Sequence, residues 1–192
     1  MPPKTRFERS DIVEAAFSIA CERGLDAIKA RHVADRLGSS VAPIYDKFAT
    51  MDDLIGAVVG HVLSLSQALL EEQRGGSVFE NIGRASLAFA REYPLLARDL
   101  ALKPSPWISN REEQDQALVE KMDEDPELAG WSTTERQSLL LQMRAFQMGL
   151  MLMTSNGQVP SWAQDIDLVQ LLMETGRDLV KARNGRRVRR ET

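Results

Sequence analysis

The sequence predicts an all-α protein. Apolar residues recur at spacings of three and four through most of the 192 residues, and no stretch alternates apolar and polar residues between turn signals as a half-buried strand does. Glycine- and proline-bearing breaks then divide the chain into about nine helical pieces. The expected architecture is an N-terminal three-helix helix-turn-helix domain over residues 1–50, a C-terminal helical domain over 51–183, and a basic, unstructured tail over 184–192.

Ser10 and Asp11 open the first helix, whose apolar side is Ile12, Val13, Ala16, Phe17, Ile19 and Ala20 and whose stop is Gly24. Val33, Ala34, Leu37, Val41, Ile44 and Phe48 then fall on one side of two short helices joined at Gly38. Ser39 and Ser40 are placed to cap the second of these. Thr50, Asp52 and Asp53 start a long fourth helix that runs toward Arg74, before Gly75-Gly76.

Val78 to Glu92 reads as a helix, Tyr93-Pro94 interrupts it, and Leu95 to Leu102 forms a short one. After the loop Lys103-Pro104-Ser105-Pro106, a helix spans about Glu112 to Asp123. Thr133 and Thr134 introduce Glu135 to Thr154, and Trp162 to Arg183 forms the last. Both closing helices are apolar on more than one side and carry an internal glycine, Gly149 or Gly176, so each is expected to be covered twice. Pairing of these two helices with those of a second copy is the expected homodimer interface, against the alternative that both are core helices of a monomer.

Hydrophobic content of 43% and charged content of 27% are those of an ordinary soluble protein. Cys21, the single cysteine, excludes an internal disulfide, and Met1 to Arg6 lack the apolar run of a signal peptide, so the expected location is cytoplasmic. The net charge of −4 is unevenly spread: residues 1–50 carry +1, residues 51–180 carry −10, and residues 181–192 carry +5. The acidic bulk repels a polyanion from every surface but the N-terminal one.

The residues from Ile12 to Leu54 resemble those of TetR-family transcriptional regulators. Ile12-Val13-Glu14-Ala15-Ala16 through Glu22-Arg23-Gly24-Leu25 is similar to the family's first helix and its glycine stop. Val33-Ala34-Asp35-Arg36-Leu37-Gly38 resembles its second helix, Ile44-Tyr45-Asp46-Lys47-Phe48 its recognition helix, and Asp52-Asp53-Leu54 the start of its fourth. The chain departs from the pattern where Lys29 replaces a capping threonine and Met51 a phosphate-binding lysine. Beyond residue 54 the resemblance extends only to helix count and order.

The resemblance implies a homodimer that sets two recognition helices into successive major grooves of a roughly palindromic DNA operator. Ser40, Tyr45, Lys47 and Lys29 would hold phosphates with Ser39 beside them, and Ala42 and Pro43 would face base edges by apolar contact. Arg31, His32, and Arg6 or Arg9 would add charge or minor-groove contacts. It also implies a small-molecule cavity after the DNA-binding part, with Phe89, Trp107, Met122, Trp131, Met143, Phe146 and Met148 as linings and Arg144 and Gln147 as polar anchors.

The expected function is a repressor released from its operator by a small, mainly apolar ligand. The alternative is a helical dimeric ligand-binding or interaction module whose helix-turn-helix is degenerate, a reading that Asp46 and Met51 favour. No metal-ligand spacing, nucleophile setting or phosphate-cradling glycine loop points to an enzyme, a metal or a cofactor.

Overall fold

In the computed structural model, residues 7–73, 78–103, 106 and 111–191 are described, and these residues hold nine α-helices and no strand. In chain order they are α1 (Arg9–Arg23), α2 (Ala30–Leu37), α3 (Ala42–Lys47), α4 (Met51–Glu72), α5 (Val78–Glu92), α6 (Pro94–Leu102), α7 (Arg111–Lys121), α8 (Thr133–Ser155) and α9 (Leu168–Glu191).

Local chemistry explains most of the boundaries. α1 begins one residue before the expected Ser10, because Glu8 caps it: its side chain takes the Asp11 amide, and Asp11 accepts the Glu8 amide at 2.8 Å. α2 ends at Gly38, whose φ of +63° is left-handed, with the amides of Gly38 and Ser39 closing onto the carbonyls of Asp35 and Ala34 at 3.2 and 2.9 Å. α4 and α8 start with reciprocal capping boxes, Thr50 with Asp53 and Ser132 with Glu135.

The helices close two apolar clusters. The first joins Ile12, Ile19, Val33, Ile44 and Phe48 of the N-terminal helices to Leu54, Val58 and Val62 of α4, Phe89 of α5 and Leu96 of α6. The second joins Leu87 of α5 to Val119, Met122, Leu128 and Trp131, to Leu139, Leu140, Met143 and Leu150 of α8, and to Leu168 and Leu172 of α9. α5 therefore serves both clusters, two residues apart.

A buried carboxylate ties the first three helices to α6. Asp99, 3% exposed, accepts the Leu25 amide at 2.8 Å, and Lys103 bridges it at 3.2 Å to Asp26 at 2.6 Å. Hydrogen bonding to Asp26, then to Asp99, holds the Lys103 ammonium above the usual lysine range. Gly24 makes this approach possible: its φ is +84°, and a Cβ there would lie 2.7 Å from Asp99 Oδ2.

Two expectations near the C-terminus are corrected. The last helix begins at Leu168, not Trp162, because Asp167 caps it by accepting the amides of Val169 and Gln170 at 2.9 and 3.2 Å, leaving Ser161–Ala163 as a separate 3₁₀ turn. The helix then continues through Glu191, so residues 184–191 are helical where an unstructured tail was expected. Long-range bonds fasten its root: Asn184 accepts the Trp131 indole N–H at 2.8 Å and donates to Glu127 O at 3.0 Å, while Arg183 lies over the Trp131 ring.

Candidate nucleic-acid interface

α3 has an anchored side and a free side. Ile44 is fully buried and Phe48, just past its end, is 2% exposed, so both fix the six-residue helix in the first cluster. Between them Tyr45 stands 51% exposed, and Ala42 and Asp46 are exposed beside it. A helix anchored on one side and open on the other presents backbone and side chains to a groove.

The expected phosphate and base contacts fall on this free surface and at the start of α2. Ser40, Tyr45 and Ala42 are exposed, Pro43, Ser39 and Lys47 half-exposed, and Lys29 and Arg31 are exposed at the cap and first turn of α2. Lys29 occupies the cap position of α2, where its donor-only ammonium makes no capping bond. His32 is engaged instead: its Nδ1 lies 2.9 Å from Ala27 O.

The serines do not cap α3. Val41 is its cap residue, and Ser39 Oγ donates to Ser40 O at 2.9 Å. Pro43 explains the difference, because its missing N–H removes one donor from the first turn, and the Ile44 and Tyr45 amides close onto Val41 O at 3.1 and 3.4 Å.

Arg9, expected to reach toward DNA, is committed to the end of α3. Its guanidinium donates to Lys47 O at 3.0 Å and lies 4.0 Å from the Phe48 ring centre. The neighbouring Glu8 sits 3.5 Å from the Lys47 ammonium. The spacing from residue 9 to residue 47 carries no sequence signal for this contact. Across the unit, Glu22 accepts both Arg36 terminal nitrogens, at 2.8 and 2.5 Å, and this bonding holds the Glu22 carboxyl below the usual glutamate range.

The expected ligand-site residues are less unified. Met122 and Met143 are buried in the second cluster, with Trp131 in it and Phe146 packed against it. Phe89 lies in the first cluster, tilted against Tyr93 at 5.3 Å, so it does not share their surroundings; Trp107 lies outside the described residues. Of the polar anchors, Arg144 is paired with Asp115 and Gln147 donates to Ser86 Oγ at 2.5 Å. A cleft of about 650 Å³ opens between α7 and α8, and Arg144 is the one expected ligand residue that lines it, among polar neighbours such as Glu112, Gln116 and Gln137.

Residues 12–58 match the family model described as bacterial regulatory proteins, tetR family. No curated protein matches in sequence. Among solved structures, a transcriptional regulator from Rhodococcus sp. Rha1 is similar in fold, with a TM-score of 0.66 and 19% identity, the match covering 92% of this chain and 97% of that one.

Proposed function

On the match of residues 12–58 to the tetR family model, we propose that this chain is a tetR-like cytoplasmic repressor, released from a palindromic operator when a small, mainly apolar ligand binds. The observation that carries the reading is the two-sided α3, held by Ile44 and Phe48 while Tyr45, Ala42 and Ser40 face outward. In this reading Lys29, Ser40, Tyr45 and Lys47 hold phosphates and set register, and Ala42 and Pro43 touch base edges. Charge agrees: the +1 of residues 1–50 against the −10 of residues 51–180 leaves the N-terminal surface as the approach to DNA.

The functional division follows the first fifty residues for DNA and residues 51–183 for ligand and partner. The ligand enters among Met122, Met143 and Phe146, whose flexible and aromatic side chains adapt to an apolar guest. A second copy covers α8 and α9. Within one chain α8 already packs on α5, α6 and α9, which accounts for much of its two-sided apolarity. Among the described residues Leu141 is 68% exposed, with Ala145 and Gly149 at helical spacing, and Trp162 at 79% and Ile166 at 41% are exposed on the link to α9. A Cβ at Gly149 meets nothing within 4 Å, so that stretch admits a close backbone crossing from a partner helix.

Selection from random double-stranded DNA tests the whole reading. A repressor of this design enriches an inverted repeat, and hydrophobic compounds that raise its melting temperature weaken binding to the enriched duplex. Enrichment of nothing at low salt overturns it.

A further inference from the structure

We propose that Arg9 is a positioning residue for DNA recognition: it clamps the C-terminal end of α3 and thereby fixes the angle at which that helix meets the groove. The inference rests on the DNA-binding reading above. α3 is six residues long, so its last carbonyls lack intrahelical partners, and Phe48 turns away into extended backbone at φ −133°. Arg9 supplies the missing donor to Lys47 O at 3.0 Å, and a cation suits that negative end of the helix.

The same guanidinium lies over Phe48, 4.0 Å from the ring centre, and so also holds the side chain that roots α3 in the core. One residue from α1 thus grips the helix end through its backbone and its anchor together. α3 has few other fixings, since its start lacks a side-chain cap and Pro43 removes an amide. Arg9 is exposed, so the clamp acts on orientation and not on the buried core. Arg fits this role better than Lys, because a planar fork can bond a carbonyl while stacking on a ring.

The test compares the wild-type chain with Arg9→Ala and Arg9→Lys, using the duplex that the wild-type chain selects. Binding is measured across salt concentrations, with melting temperature and amide hydrogen exchange alongside. A positioning role predicts that Arg9→Ala weakens binding about fivefold to tenfold, that Arg9→Lys falls between, and that the salt slope is unchanged. It also predicts faster exchange for the Phe48 amide, with little change in melting temperature.

Equal binding by Arg9→Ala and wild type overturns the clamp. A salt slope lowered by about one in Arg9→Ala also overturns it, because that marks a direct phosphate contact. If Arg9→Ala melts early, Arg9→Lys carries the same comparison. If the wild-type chain selects no duplex, the DNA-binding reading fails, and unchanged exchange at Phe48 separately decides against the clamp.

Discussion

The α1–α3 unit and the α7–α9 unit each close around apolar side chains, but the polar bonds made among α1–α3 themselves join residues nearer in sequence than those that fasten α9. Within the first, Ile12 to Phe48 supply much of a core that α4, Phe89 and Leu96 complete, the Gly38 turn closes over three to five residues, and the longest side-chain bond among these helices, Arg9 to Lys47, spans 38. In the second, Trp131 meets Asn184 across 53 positions and Arg183 meets Glu135 across 48. The first unit is a platform to which Ile44 and Phe48 root a short helix. The long-range unit is held by contacts between helices, which a guest among Met122, Met143 and Phe146 would alter directly.

Removing one large side chain from each core is the strongest way to separate the two. Phe48→Ala is expected to cost about 3–5 kcal/mol and Met143→Ala about 2–5 kcal/mol in urea unfolding. Only the first should abolish DNA binding, measured on the selected duplex by fluorescence anisotropy; loss of binding in both would erase the contrast. The tie between the α1–α3 unit and α6 comes next. Gly24→Ala forces a side chain into a left-handed φ and against Asp99, and is expected to destabilise by about 1–3 kcal/mol.

The capping boxes give a smaller, matched pair. Thr50→Ala and Ser132→Ala should each cost about 1 kcal/mol, because both lose the same reciprocal bonds at a helix start. The smallest effect is a pH dependence confined to the first unit. Glu22 is held below its ordinary range by Arg36, so its contribution is present above the unfolded glutamate pKa and disappears as pH falls through the lower folded value. The difference in melting temperature between wild type and Arg36→Met should therefore shrink on acidification through that window.

The same contrast decides what was legible in the sequence. Gly24, Gly38 and the Thr50-Asp53 pair mark boundaries by local rules, and the positions of Ile44 and Phe48 foretell which side of α3 is anchored. Ser39 and Ser40 misled because a neighbouring proline had already relieved the need for a cap. The start of α9 was hidden because Trp162 and Ile166 fall at helical spacing, although Asp167 is the residue that accepts the first amides. Phe89, expected among the ligand linings, packs beneath α1 through Tyr93 and Phe17, apart from Met122 and Met143, a placement set by tertiary contact alone. Arg9 on Lys47 O, and Asn184 on Trp131, likewise depend on chain segments that only the fold brings together.

The central claim is that the free side of α3 is a DNA-binding surface, and Tyr45→Phe addresses it most directly. The ring stays, so the melting temperature should not move, while loss of the hydroxyl bond to phosphate should weaken binding to the selected duplex about tenfold or more. Unchanged affinity in a fully folded Tyr45→Phe chain would contradict the account.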